Sequence, residues 1–324
     1  MYTPPFQITS RIIELISMIS EKIGEVTHLN NNSNKVKLRK DNHIKTIHSS
    51  LAIENNSLTI EQITDIINGK SVLGNAAEIL EVKNAIKVYE LLLYLNPYDE
   101  KDLLKAHSIM MQGLVTDSGK YRTGGVGVFN GDNVVHMPPP AQRVALLMGE
   151  LFAWLKDSDV HPLVKSCVFH YEFEFIHPFQ DGNGRIGRLW QTVILKDWKE
   201  IFAWLPVETL IKEHQSDYYN ALNICDKNGN STVFIEFMLR LILETITPLT
   251  KTDKKVTAKV TVKVTANQKK IIEAVIDNPY VTIDELAVIV GIARKNIVTN
   301  MKKLQQNALI KRVGADKNGY WRVL

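Results

Sequence analysis

Apolar residues recur at helical spacing along most of this chain. From Ile8 to Ile23 a long apolar periodicity predicts a helix. Val168, Phe169, Tyr171, Phe173, Phe175 and Ile176 form an aromatic-rich run with Glu172 and Glu174 set into it. Pro178 restrains His177 to extended backbone, so any helix through that run stops there. Helical spacing resumes at Arg188, Leu189, Trp190, Val193, Ile194, Leu195 and Trp198. The pattern predicts helix, tight loop, helix, with Gly182-Asn183-Gly184 at the N-terminus of the second helix. Between Gly124 and Val135 a glycine-rich stretch predicts a hairpin that turns at Asn130-Gly131.

The C-terminal part has a different texture. Leu249 to Gln268 is a Lys/Val/Thr stretch with few bulky residues, and it predicts a linker or a strand. Three helical segments follow, Gln268–Ile276, Ile283–Val290 and Arg294–Gln305. Thr282 and Glu285 make a capping box for the second. Ala287, Gly291 and Ile297 have the spacing of a helix-turn-helix. Leu309–Val313 and Tyr320–Val323, joined by Gly314–Gly319, predict a wing hairpin. This part resembles a winged helix-turn-helix domain. The resemblance implies groove-facing roles for Arg294, Lys295, Asn296, Thr299, Asn300 and Lys303. Lys311, Arg312, Lys317 and Arg322 would meet phosphates.

Charge sharpens the division. Residues 251–324 hold 15 Lys and Arg against 6 Asp and Glu, leaving 24 against 29 of the chain's 39 and 35 for the rest. A basic tail on an acidic body makes DNA a candidate partner. Hydrophobic content of 45% and charge of 23% are ordinary for a globular protein of 324 residues. Cys167 and Cys225 are the only cysteines, too few for a disulfide framework, and they predict buried free thiols. Neither a signal-peptide pattern nor a membrane-length apolar window is visible, so the expected location is cytoplasmic, with no membrane partner.

The densest chemistry lies in His177-Pro-Phe-Gln-Asp-Gly-Asn-Gly-Arg-Ile-Gly-Arg188. Free amides at a helix N-terminus favour an anion, and glycines let a phosphate approach the backbone. Arg185 and Arg188, three apart, share nearly one helix face, where each can fork onto phosphate oxygens. Asp181 is a hard oxygen ligand of the kind Mg²⁺ takes beside phosphates. His177 suits proton acceptance from a hydroxyl. Gly182-x-Gly184-x-x-Gly187 also fits a dinucleotide fingerprint, but no strand leads into it, and that reading is rejected. Gly69-Lys70-Ser71 lacks the first glycine of a P-loop and is rejected too.

The run resembles the Fic family signature HxFx(D/E)GNGRxxR at every fixed position. Tyr121-Arg122, Met137-Pro138-Pro139-Pro140, His161-Pro162 and Tyr218-Tyr219-Asn220-Ala221-Leu222 extend the resemblance over roughly residues 100–240. It implies transfer of AMP from ATP to a Ser, Thr or Tyr hydroxyl of a target protein, with Mg²⁺ as cofactor. His177 would be the general base and Asp181 the metal ligand. Gly182, Asn183, Gly184, Arg185 and Arg188 would hold phosphates, and Tyr219 would sit near the base. Val134 and Val135 would belong to a flap that docks the target backbone. Relatives that transfer the γ-phosphate carry Lys where this chain has Gly184, which favours AMP; phosphocholine transfer stays open.

Ser50-Leu51-Ala52-Ile53-Glu54-Asn55 matches the family's inhibitory pattern Ser/Thr-x-x-x-Glu-Gly/Asn. Glu54 is expected to form a bidentate pair with Arg188 and so to mis-set bound ATP. In some relatives the same Glu helps to remove AMP, and relatives commonly form homodimers.

The expected fold is mostly α: a Fic-type helical bundle with a small β-hairpin flap, plus a C-terminal winged helix. The expected divisions are 1–98 (helices with the inhibitory motif), 99–248 (catalytic core), 249–267 (linker) and 268–324 (winged helix). The expected activity is a self-inhibited protein adenylyltransferase. The alternative is a DNA-binding transcription regulator that uses the core as a nucleotide sensor.

Overall fold

Ile12, Leu15, Ile19, Ile23 and Val26 recur every three or four residues and are all buried, which places one face of helix α1 (Ser10–Leu29) against the core. In this computed structural model, residues 2–29, 35–130, 133–259, 265–307, 309–313 and 320–323 are described. By contact the chain divides into two units, Met1–Thr250 and Lys251–Leu324.

The first unit continues with α2 (Lys35–Ile53), α3 (Ile60–Ile67), α4 (Ala76–Glu90) and α5 (Glu100–Met110). Thr59 and Gln62 close a capping box on α3, while Asn75 and Asp99 cap α4 and α5. A hairpin of β1 (Val128–Asn130) and β2 (Asn133–His136) precedes α6 (Ala141–Asp157), α7 (Pro162–Ile176) and α8 (Asn183–Trp198). Then come α9 (Val207–Glu213), α10 (Gln215–Asn228) and α11 (Thr232–Lys259). One hydrophobic cluster draws on α1 to α11, so the segments expected as 1–98 and 99–248 share a single core. Helix α7 is buried nearly all round, between α6 and α8. That explains why its apolar residues form a run instead of a stripe.

Two expectations are corrected here. Asn130, expected in the turn, pairs with Asn133 and so belongs to its strand. Gly131 lies outside the described residues. The segment from Leu249, expected as a linker or a strand, is helical as far as Lys259. Packed residues Ile235, Met238, Leu239, Ile242 and Ile246 establish α11, and each further residue then costs little to add. Residues 260–264 of that linker lie outside the described residues. No helix among the described residues is long and apolar enough to cross a membrane.

The second unit holds α12 (Ala266–Asp277), α13 (Ile283–Val290) and α14 (Arg294–Gln306), then β3 (Ile310–Val313) and β4 (Tyr320–Val323). Thr282 and Glu285 cap α13 reciprocally, and Gly291 ends it at φ 74°, a left-handed position that glycine takes without strain. The strands pair antiparallel from Ile310↔Val323 to Val313↔Tyr320. Lys317 lies outside the described residues. Ile271, Val275, Leu286, Ile297, Met301 and Leu304 form this unit's own core. Leu304→Ala should therefore cost about 2–5 kcal/mol. The measurement is amide exchange, with faster exchange across residues 266–307 and none of the change in residues 2–250.

Candidate active site

Helix α7 stops at His177, as Pro178 requires, but the backbone there is left-handed (φ 48°, ψ 62°) and not extended. A non-glycine residue pays roughly 1–2 kcal/mol for that conformation. Surrounding bonds hold it. The His177 amide donates to the Phe173 carbonyl at 2.9 Å, and the buried Arg122 guanidinium donates to the carbonyls of His177 (2.8 Å), Ile176 and Gly124. The Arg122 amide donates to the Pro178 carbonyl at 2.9 Å.

The loop that follows is closed from within. The Asn183 carboxamide accepts from the Phe179 amide at 2.8 Å and donates to the Phe179 carbonyl at 2.9 Å. Both ends of that side chain are thus engaged on the loop. Phe179 stacks on His107 with ring centroids 3.6 Å apart. His107 Nδ1 accepts from the Gly119 amide, which leaves Nε2 as the donor to the Asp181 carbonyl at 3.0 Å.

Gly182 (φ 84°) turns the chain into α8, and a Cβ there would strike the Met111 sulfur. By helix geometry the amides of Asn183, Gly184 and Arg185 have no carbonyl of their own helix to reach, so the start of α8 is an anion-seeking end. The two arginines have different surroundings. Arg185 is buried between Glu81, to which it donates, and Asp181 Oδ1 at 2.9 Å. Arg188, with a side chain only 1% exposed, donates through Nη2 to Glu54 Oε1 at 2.7 Å and to the Ser50 carbonyl at 3.0 Å. Its Nε faces Ser50 Oγ at 3.3 Å. The Glu54 contact uses one nitrogen, Nη2, not the expected bidentate fork, and Nη2 is shared with the Ser50 carbonyl.

Glu54 lies one residue past the end of α2, where Asn55 turns left-handed (φ 67°). Lys212 and Gln215 donate to the carbonyls of Ala52 and Ile53 and fix that end of the helix. A Cβ on Gly184 would collide with the Glu54 carboxylate and would push that side chain aside, so glycine leaves room for Glu54 where it stands. Tyr219, on α10, is half-exposed; burial raises its pKa first, and the charge of Glu54 adds to it. Val134 and Val135 lie on β2, with side chains outside the description.

Asp181 Oδ1 accepts from Arg185 and from the Gly182 amide, while Oδ2 has no bond among the described residues. Among the described residues no three His, Cys, Asp or Glu gather as a metal cluster. One largely exposed carboxylate therefore fits a cation that takes its other ligands from phosphate and water.

Burial sets the titration of the site. It pushes His177 down to about 4, with the charges of His136 and Arg122 adding to the effect. His177 Nδ1 faces the Glu174 carbonyl at 3.3 Å, so Nδ1 carries the proton and Nε2 is the free base. Burial raises Glu174 to about 7; Glu54 adds to this and Arg188 opposes it. Sequence reasoning missed Glu174, Glu81 and His107, and it used Arg122 only as a marker of resemblance. Arg185 lies 104 positions from Glu81, Asp181 74 from His107 and His177 55 from Arg122, where no local spacing shows the pairing.

Histidine NMR should find His177 neutral down to about pH 4; a titration near 6.5 would show that the ring is solvated. The sign for stability follows. An unfolded chain with its histidine at about 6.5 binds the proton first, so this residue's contribution falls as pH drops from there toward 4.

A family model described as "Fic/DOC family" matches residues 97–195. The crystal structure of a Fic family protein from Desulfovibrio desulfuricans G20 is 42% identical, covers 100% of this chain and 98% of that chain, and has a TM-score of 0.76. Curated relatives include Protein adenylyltransferase Fic of Drosophila mojavensis, 27% identical over 72% of this chain and 47% of that protein. Its counterpart from Nematostella vectensis is 28% identical over 72% and 55%. The chain spans about half the length of these curated relatives. A likeness in fold alone extends to Fic-1 (aa134–508) of C. elegans, at 19% identity and a TM-score of 0.61, over 75% of this chain and 74% of that one. With a relative 42% identical along nearly its whole length, this chain belongs to the Fic family.

Proposed function

We propose that the protein transfers AMP from Mg-ATP to a Ser, Thr or Tyr hydroxyl of a target protein and of itself, and that Glu54 holds this activity down. The observation that carries the reading is the Glu54–Arg188 pair at the N-terminus of α8, in the same site as a neutral His177. His177 Nε2 takes the proton of the attacking hydroxyl. The hydroxyl oxygen bonds to the α-phosphorus, the bond from that phosphorus to the bridging oxygen breaks, and pyrophosphate leaves. The free amides at the start of α8 receive phosphate oxygens. Arg188 receives the terminal phosphates once Glu54 withdraws. Mg²⁺ would be held by Asp181 and would neutralise phosphate charge.

Arg185 then has a supporting task. With Glu81 behind it, it fixes Asp181 and adds no direct phosphate contact. Inhibition follows from competition, since Arg188 cannot serve a carboxylate and a phosphate in one geometry. Removing AMP from a target would use the same residues with water as the acceptor, and wild type with Glu54 in place is the form to assay.

Glu54→Gly should raise self-modification by labelled ATP about 10²-fold, the scale that ångström misplacement commands. His177→Ala should abolish it. Equal labelling of wild type and Glu54→Gly would refute the inhibitory role, and labelling that survives in His177→Ala would refute the general base.

For the second unit we propose a winged helix that binds DNA. Arg294, Lys295, Asn296, Lys302 and Lys303 are exposed on α14, and Lys311 and Arg322 are exposed on the wing strands. Arg294 also pairs with Asp284 at 2.7 Å, and Arg312 lies over the Trp321 ring at 4.9 Å. A gel shift on genomic fragments should show binding that weakens steeply with salt and is reduced by Lys295→Ala with Lys303→Ala. Binding indifferent to salt, or none, would favour protein contact instead.

A further inference from the structure

His136 ends strand β2, and its ring reaches two acceptors. Nε2 lies 2.8 Å from the Phe175 carbonyl, and Nδ1 lies 2.8 Å from Asp226 Oδ2. A carbonyl only accepts, so Nε2 bears a hydrogen. A carboxylate also accepts, so Nδ1 bears one too, and the ring is an imidazolium. Asp226 Oδ1 is fixed in turn by the Tyr171 hydroxyl at 3.0 Å, and the ring packs on Phe175 with centroids 5.1 Å apart.

The place of this cation matters. Phe175 is in the last turn of α7, at the negative end of its dipole, where its carbonyl has no amide of its own helix to accept from. Two residues on is His177. His136 also pairs with Val128, the first residue of β1, so it stands at the base of the hairpin. Asp226 belongs to α10. One side chain therefore ties the hairpin to the helix that carries the base and to a second helix beside it.

We propose that His136 is a positioning residue: as an imidazolium it pins the target-docking hairpin to the C-terminal end of α7 and to α10, holding docking strand and His177 in one register. The proposal rests on the reading of the hairpin as the docking element for a hydroxyl-bearing segment. The groups facing His136 are Asp226 from α10, and Glu174, Tyr171 and His177 from α7. Burial opposes its charge, but Asp226, the Phe175 carbonyl and Glu174 outweigh burial and raise its pKa.

The sign of the pH effect follows. A histidine with a raised folded pKa contributes fully below the unfolded value of about 6.5, and its contribution is lost as pH rises through the folded value. The same cation lowers the pKa of His177. The clasp therefore holds on the acid side of the raised His136 value, where His177 is already a free base above about 4, and opens on the alkaline side.

Three measurements on the full chain test this. Histidine NMR should place the His136 titration above the ordinary value in wild type and bring it down in Asp226→Asn. At pH 6, His136→Gln should speed amide exchange of residues 133–136 about ten-fold, the effect of one lost charge-assisted bond. In the Glu54→Gly background, His136→Gln should remove the alkaline limb of the self-modification pH profile while leaving ATP affinity unchanged. An ordinary titration for His136, or unchanged hairpin exchange in His136→Gln, overturns the proposal. The first two readouts need no turnover. A hairpin that loosens while no protein ever takes label would sink AMP transfer and leave the clasp standing.

Discussion

A guanidinium taken out of water needs an anion, and Arg188 is the point on which the rest of the site depends. Its side chain is 1% exposed, and leaving such a charge unpaired costs about 3–5 kcal/mol. Two other buried carboxyls, Glu174 and Glu208, stand in its field, but burial raises both to about 7, so each stays partly protonated at neutral pH. Glu54 makes the direct contact. The left-handed turn at Asn55, the capping of α2 by Lys212 and Gln215, and the bare Cα of Gly184 all allow a carboxylate from α2 to reach the start of α8. Under the proposed function, a phosphate replaces that carboxylate instead of filling an empty place.

The reactive loop is held by its neighbours more than by itself. His177 sits in a conformation that costs energy, and Arg122 offsets the cost by donating to carbonyls on both sides of it. His107 adds a stacked face for Phe179 and a bond to the Asp181 carbonyl, and burial keeps it neutral by lowering it to about 4. A neutral ring with Nδ1 accepting can hold Asp181 in one orientation only. Base and carboxylate thus owe their placement to residues from α5 and from the segment after it.

How much was legible in the sequence follows from the range of each interaction. The helix-loop-helix of residues 162–198 came from apolar spacing and one proline. Capping at Thr282 and the turn at Gly291 came from patterns within four residues. The contact between Glu54 and Arg188 spans 134 positions, and only resemblance to a family made it visible. Without such help, Glu81 behind Arg185 and Asp226 behind His136 left no local trace. The backbone of His177 was misjudged because the proline rule treats a residue without its tertiary partners. The partners of Arg185 were hidden for a related reason: helical spacing tells which residues share a face but not what another helix brings to that face.

The pairing of Arg185 bears on how the site treats a nucleotide. Arg185 already has Glu81 and Asp181, and Arg188 already has Glu54, so each cation at the start of α8 is balanced before any phosphate arrives. A triphosphate brings several negative charges to a place whose positive charges are taken, with only helix amides left to receive it. Two remedies exist on physical grounds. One is to remove an anion, which only Glu54 can do without dismantling the support of Asp181. The other is to add a cation, for which Asp181 keeps one oxygen unbonded. Under the proposed function, inhibition by Glu54 and a need for a divalent metal would both follow from one charge balance. Under the same reading, such a site would rest inactive until at least one of these remedies lets His177 face a correctly set α-phosphorus.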